Sequence, residues 1–146
     1  MSDINVCLAC DDNYSKYAGV VIASVLANAK PESYLHFYIL DGGVAQENID
    51  KIMSLKSIKD CEIKFVKVDD SQFEMYKNIK THQYVTLQTY YRLKLAQILP
   101  EVDRIIYMDC DMVVNDDLEE LFTTELGDNV IAGVLDIRVY GKKAWK

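Results

Sequence analysis

Two patterns of apolar residues alternate along the chain. Short apolar runs predict five strands, at residues 4–9, 35–40, 63–68, 104–108 and 130–135. Apolar residues at helical spacing predict helices at residues 14–29, 46–58, 87–99 and 117–122. This alternation of strands and helices is typical of an α/β fold with a mostly parallel sheet.

Composition narrows the class of protein. The 146 residues suffice for one domain with a sizeable core, half of them are hydrophobic, and 16 basic against 23 acidic residues give a net charge of -7. An acidic chain without a basic cluster argues against a nucleic-acid surface. Because carboxylates repel phosphate, a metal ion is the expected intermediary for any phosphate-bearing ligand.

The sequence shows no targeting or membrane signal. Its first residues lack the basic region and apolar stretch of a signal peptide. No apolar run approaches the roughly 20 residues that span a bilayer. We therefore expect a cytoplasmic location, with peripheral attachment to the inner membrane through parts outside this chain left open.

Cys7 and Cys10 form a CxxC pair, which has three interpretations. A zinc site would need a second such pair, which the sequence lacks, and a redox pair belongs at a helix N-terminus. This pair lies in a predicted strand, where residues three apart point to opposite faces. We therefore expect ordinary packing of two buried thiols.

The main chemical signal is a pair of carboxylates at the end of the fourth predicted strand. Asp109 and Asp111 follow an apolar run and are separated by Cys110. Ligands of open α/β sheets bind at the carboxyl ends of the strands. Hard oxygen ligands favour Mg²⁺ or Mn²⁺, which can bridge to a diphosphate. Because the motif is short, it fits an acidic loop exposed to water as well.

Another polar cluster closes the first strand. Asp11 and Asn13 can hydrogen-bond a heterocycle, and Tyr14 offers a flat apolar surface. Asn13 also precedes a predicted helix and is a good N-cap residue, so binding and capping can coexist. Arg92, on the third predicted helix, could approach a diphosphate or face solvent.

Taken together, these motifs resemble glycosyltransferase family 8, especially the bacterial lipopolysaccharide galactosyl- and glucosyltransferases. The resemblance covers essentially the whole chain. It rests on A-C-D-D-N-Y at 9–14, F-Y-I-L-D at 37–41, Y-R-L-K-L at 91–95 and I-Y-M-D-C-D at 106–111. It implies a GT-A fold, a Rossmann-like nucleotide-sugar-binding sheet without a GxGxxG loop. Residues 1–146 would form a single donor-binding domain, incomplete at its C-terminus.

The resemblance also implies a reaction: retaining transfer of glucose or galactose from a UDP-sugar to a hydroxyl of a glycan or lipid-linked glycan acceptor. The product would be lipopolysaccharide or another surface glycan. Mn²⁺ or Mg²⁺ would hold the diphosphate on Asp109 and Asp111. The nucleotide would contact Ala9, Asp11, Asn13, Val85, Asp109 and the main chain of Cys110. As catalytic residues, Arg92 would hold the donor sugar or its phosphates, and Asp136 would face the hydroxyls of the sugar.

Family members are about twice this length or more, and their third metal ligand, a histidine, would lie beyond residue 146. We therefore expect the chain alone to bind donor weakly and to turn over poorly or not at all. A face that further sequence would cover also predicts self-association.

Two alternatives stay open. A non-catalytic binding module would keep the nucleotide pocket and bind UDP without transfer or hydrolysis. A haloacid-dehalogenase-type phosphatase carries DxDx(T/V) after an apolar strand, and residues 109–113 satisfy that pattern. In such phosphatases, however, the motif normally follows the first strand rather than the fourth.

Overall fold

Four parallel strands form one sheet in the computed structural model, which describes residues 2–77 and 87–134. The strands are β1 Ser2–Cys10, β2 Ser33–Asp41, β3 Cys61–Lys67 and β4 Ile106–Tyr107. Their order across the sheet is β3-β2-β1-β4, and every neighbouring pair is parallel. The α/β class and the parallel sheet predicted from the sequence are therefore confirmed.

Helices connect the strands. They are α1 Ser15–Asn28, α2 Gln46–Met53, α3 Glu74–Lys77, α4 Leu95–Ile98 and α5 Glu119–Thr123, with 3₁₀ turns at Ser54–Ser57, Asp70–Phe73 and Leu87–Lys94. The helix predicted at 87–99 is therefore largely a 3₁₀ segment, which ends in the single α-turn of α4. Within the described ranges, no helix combines the length and apolarity that crossing a bilayer demands.

Apolar side chains lie on both faces of the sheet, most completely in the central parts of β1 and β2, whereas β3 alternates with the charged residues Glu62 and Lys64. One face packs on α1 through Ile4, Val6, Leu8 and Cys10. On the other face, Cys7 packs with Phe73 and Tyr91. Cys7 and Cys10 are both buried free thiols on opposite faces, so the predicted strand packing of the CxxC pair is confirmed. Burial raises the pKa of Cys7 to about 12, which keeps its thiol protonated.

The strand predicted at residues 130–135 is wrong over its described part. Residues 130–134 pair with no strand, and Val130, Ile131 and Val134 are 92%, 80% and 96% exposed; residue 135 lies outside the described residues. A strand needs a neighbour for its main-chain groups. Among the described strands, β4 pairs only with β1, and its two residues offer a very short edge.

Asp117 fastens the start of α5 to the loop before β2. Its carboxylate accepts hydrogen bonds from the Lys30 N–H (2.7 Å), the Ser33 hydroxyl (3.0 Å) and the Glu119 N–H (2.8 Å). Burial opposes ionisation, but these hydrogen bonds outweigh it and lower the pKa of Asp117. The carboxylate is therefore stabilised more in the folded chain than in the unfolded one.

We expect Asp117→Asn to lower the free energy of unfolding by about 1–2 kcal/mol at pH 7, a value reduced for partial exposure. Because the folded pKa is depressed, the difference from wild type is fully present above the unfolded pKa of about 3.9 and fades as pH falls through the folded value. Urea denaturation at pH 7 and pH 3 measures both. Asp128→Asn, at an exposed aspartate near α5, is the matched control; an equal effect there would contradict a specific role for Asp117.

Candidate active site

The acidic motif emerges beside the carboxyl end of β1. Val6 pairs with Ile106 and Cys7 pairs with Tyr107, and the Met108 N–H then donates to the Cys7 carbonyl at 2.9 Å. Two residues further along each segment, the Cys110 thiol donates to the Ala9 carbonyl oxygen at 3.3 Å. Residues 9–13 and 109–111 are far apart in the sequence. Through these contacts, they meet at the carboxyl ends of the strands.

The two carboxylates of this motif are exposed. Asp109 is 56% exposed and its Oδ1 accepts a hydrogen bond from Arg92 Nη2 at 2.7 Å. Asp111 is also exposed and has no hydrogen-bond or ion-pair partner among the described residues. Because both groups face solvent, neither incurs the cost of a buried charge, and both can approach a ligand at this edge.

These oxygens fit a divalent metal that is shared with a substrate. In proteins Mg²⁺ keeps several waters and takes one or two carboxylates together with substrate phosphates. Asp109 and Asp111 are such a pair. A closed cage is absent from the described part of the chain, since no three candidate ligands cluster there. The donor set therefore suits an ion that a phosphate ligand would help to hold.

Arg92 lies against this motif and is fixed by three contacts. Its Nε donates to the Thr89 carbonyl at 2.9 Å, Nη2 reaches Asp109, and the guanidinium carbon lies 4.5 Å from the centre of the Tyr107 ring. Burial raises the pKa of the Tyr107 hydroxyl, and the positive charge of Arg92 offsets this only in part. Arg92 therefore lies beside the acidic motif, while 37% of its side chain is exposed to solvent.

In the loop after β1, the carboxylates of Asp11 and Asp12 each accept a hydrogen bond from a main-chain N–H. Asp11 Oδ1 accepts a hydrogen bond from the Tyr14 N–H at 3.0 Å. Asp12 Oδ1 accepts from the Ala45 N–H and from Asn48 Nδ2, both at 2.8 Å, and these bonds lower the pKa of Asp12. Asp12 therefore ties the start of α1 to the start of α2.

The capping role considered for Asn13 is wrong. The N-cap residue of α1 is Tyr14, with no side-chain cap hydrogen bond. Asn13 itself is exposed and makes no hydrogen bond to another described residue. Its amide therefore remains available to a ligand, next to the Asp11 carboxyl and the aromatic surface of Tyr14, which is 46% exposed.

A cavity of about 260 Å³ opens at the carboxyl ends of β2 and β3. The sequence did not predict it. It is lined by Asp41, Gly42, Gly43, Lys67, Val68, Asp70 and Tyr91. The Tyr91 hydroxyl donates to Asp70 at 2.5 Å. A Cβ atom on Gly42 would lie 2.6 Å from Gln88 Nε2, so the Gln88 side chain lies over this loop and would have to move if residue 42 carried a side chain.

Two residues assigned to the site by resemblance, Val85 and Asp136, lie outside the described residues. Their roles remain predictions. The structure thus places Ala9, Asp11, Asn13, Arg92 and the 109–111 motif at the carboxyl ends of the strands. It adds Tyr107 and Thr89 as supports of Arg92, contacts for which the sequence pattern gives no signal.

Comparison with known proteins identifies the family to which this arrangement belongs. The profile described as "Glycosyl transferase family 8" matches residues 5–146. The crystal structure of the galactosyltransferase LgtC in complex with donor and acceptor sugar analogs superposes with a TM-score of 0.85 at 30% identity, over 97% of this chain and 50% of LgtC. This likeness confirms the GT-A fold.

Curated relatives agree with this result. A lipopolysaccharide 1,2-glucosyltransferase of Escherichia coli is 28% identical over 141 residues, which are 96% of this chain and 40% of that protein. A lipopolysaccharide 1,3-galactosyltransferase of Salmonella typhimurium is 28% identical over 132 residues, or 90% and 38%. The chain therefore spans about two fifths of the length of these relatives. From the profile match and the shared fold, the chain belongs to glycosyltransferase family 8.

Proposed function

We propose that this chain binds the donor of a retaining hexosyltransferase, which moves glucose or galactose from a UDP-sugar to an acceptor hydroxyl in lipopolysaccharide or another surface glycan. The observation that carries the proposal is the meeting of the 109–111 motif with the end of β1. It occurs in a chain that shares its fold with LgtC, a galactosyltransferase solved with donor and acceptor sugar analogs.

Each part of the site has a task in this proposal. Asp11 and Asn13 bind the uracil and ribose side of the donor, together with the main chain at Ala9 and Val85. The main chain of Cys110 and the carboxylate of Asp109 face the ribose and the diphosphate. These groups follow β1 and β4, and the residues of β1 are buried on both faces of the sheet, so the main chain from which the site starts is held in place.

Asp109 and Asp111 would hold Mn²⁺ or Mg²⁺, which supplies a positive charge opposite the charge that grows on the leaving diphosphate. Arg92 contributes a second positive charge at the same place, with a planar fork of donors that matches phosphate oxygens. Asp136 would face the hydroxyls of the donor sugar. No residue of this chain is assigned as a nucleophile.

One alternative follows from the length of the chain, which covers half of LgtC. A donor-binding module without transferase activity would use the same nucleotide contacts. It would bind UDP and a UDP-hexose but release neither free hexose nor a glycoside. The phosphatase alternative loses its support, because the 109–113 pattern lies inside a family 8 match that covers the chain from residue 5 to residue 146.

Calorimetric titration of UDP with and without Mn²⁺ tests the proposal. We expect Mn²⁺ to increase UDP affinity at least about tenfold, since two carboxylates without a cation repel the diphosphate. Titration with Ca²⁺ in place of Mn²⁺ controls for a general effect of divalent charge. Equal UDP affinity with and without Mn²⁺ would refute a metal-bridged donor site. Assay of hexose transfer in the same samples separates enzyme from binding module.

A further inference from the structure

We propose that Arg92 is an exchangeable counter-ion of the acidic motif: its guanidinium holds Asp109 until a divalent cation takes that carboxylate, and it is thereby released toward the donor. This inference rests on the proposed function. It assigns to Arg92 a role in metal binding as well as in donor binding. Its starting point is the 2.7 Å contact between Arg92 Nη2 and Asp109 Oδ1, in an oxygen set that also suits the metal.

The contacts of Arg92 permit such an exchange without loss of the side chain's position. Two of them, the Thr89 carbonyl at 2.9 Å and the Tyr107 ring at 4.5 Å, do not involve the carboxylate. If Asp109 leaves, the guanidinium stays bound through Nε and stacked on the ring. The exchange then costs one hydrogen bond, and Nη2 becomes free to donate elsewhere.

The strength of the ion pair also favours exchange. Arg92 is 37% exposed and Asp109 is 56% exposed, and ion pairs in such positions are weak because water screens them. A divalent cation carries twice the charge and can contact Asp109 and Asp111 together. The cation therefore competes well with Arg92 for Asp109, while repulsion between the two positive charges weakens the contact between Nη2 and that carboxylate.

The released guanidinium has a new partner in the same place. Its planar donors match the oxygens of a phosphate, and the diphosphate of a donor would lie on the metal. Metal binding would therefore prepare Arg92 for the donor, and by reciprocity the donor would tighten the metal. The competition predicts two effects of opposite sign. In the absence of nucleotide, Arg92 weakens metal binding. Once the metal is bound, Arg92 strengthens nucleotide binding.

Arg92→Gln tests this prediction, with Mn²⁺ binding followed through the electron paramagnetic resonance signal of the free ion. Without nucleotide, we expect the variant to bind Mn²⁺ about two- to fivefold more tightly than wild type, the range that an exposed ion pair allows. At saturating Mn²⁺, we expect UDP to bind several-fold more weakly to the variant. Arg92→Lys keeps the positive charge but loses the planar guanidinium. We expect this variant to bind Mn²⁺ as weakly as the wild type does and to bind UDP more weakly than the wild type.

Lys94→Gln is the matched control, because it removes one positive charge from the same 3₁₀ segment. Lys94 donates to the Gln72 carbonyl at 2.9 Å and lies over the Phe73 ring. We expect it to change neither affinity. Mn²⁺ binding to Arg92→Gln that is equal to or weaker than wild type would overturn the counter-ion role alone. Wild-type protein that binds neither Mn²⁺ nor UDP would overturn the proposed function together with this inference.

Discussion

Asp109→Asn/Asp111→Asn is expected to bind UDP with the same low affinity in the presence and absence of Mn²⁺. The two amides keep the shape of the side chains but remove both negative charges at the end of β4. Without these charges Mn²⁺ has no ligand pair in the motif, so the Mn²⁺-dependent gain in UDP affinity, at least about tenfold in the wild type, should disappear. Calorimetry at fixed Mn²⁺ measures the loss.

A second double variant separates the motif from the overall charge. Asp116→Asn/Asp128→Asn removes the same two charges at exposed positions outside the motif. Asp116 accepts a hydrogen bond from the Asp117 N–H, so only a small loss of stability is expected from that change. This control should keep the full Mn²⁺ effect. If instead the 109/111 variant keeps it, the metal binds elsewhere and the proposed site is wrong.

Phe73→Ala is expected to lower the free energy of unfolding by about 3–5 kcal/mol, the largest effect on stability that we predict. Phe73 is fully buried, and its ring lies 5.0 Å from the ring of Tyr91 and 6.1 Å from that of Tyr76. Truncation would leave a cavity under the segment that carries Arg92. Urea denaturation followed by circular dichroism measures the change.

Met75→Ala, two residues away, is the matched control. Met75 is 71% exposed, and we expect its truncation to change the free energy of unfolding by less than about 0.5 kcal/mol. Similar losses in the free energy of unfolding for the two variants would contradict a specific contribution of the buried Phe73 ring. A loss at Phe73 alone would show that burial of this ring stabilises the fold.

The sequence predicted the sheet well because burial on both faces leaves a simple trace. In β1, β2 and β3, nearly every position is apolar or lies next to an apolar one. Most ends of these strands lie one or two residues outside the predicted runs. The rule that parallel strands present ligand sites at their carboxyl ends predicted a site at the acidic motif, whereas Ala9 was assigned to that site only by the family resemblance.

Other features could not be predicted, because a local pattern does not name a distant partner. The residues 130–134 have the composition of a strand, but only a neighbouring strand with free main-chain groups would make them one. Over the eight residues of Leu87–Lys94, apolar spacing indicated a helix but did not distinguish 3.0 from 3.6 residues per turn. The contacts of Arg92 with Asp109 and of Asp12 with Ala45 depend on how separate loops meet.

Main-chain atoms set the distance between the ends of β1, β2 and the acidic motif. The Cys7 carbonyl receives the Met108 N–H, and the Cys10 carbonyl receives the Gly42 N–H, both at 2.9 Å. Every amino acid offers a carbonyl, and all except proline offer an N–H. A substitution at these positions, unless it introduces proline at a donor, can therefore leave the distance between the loop after β1 and the acidic motif unchanged.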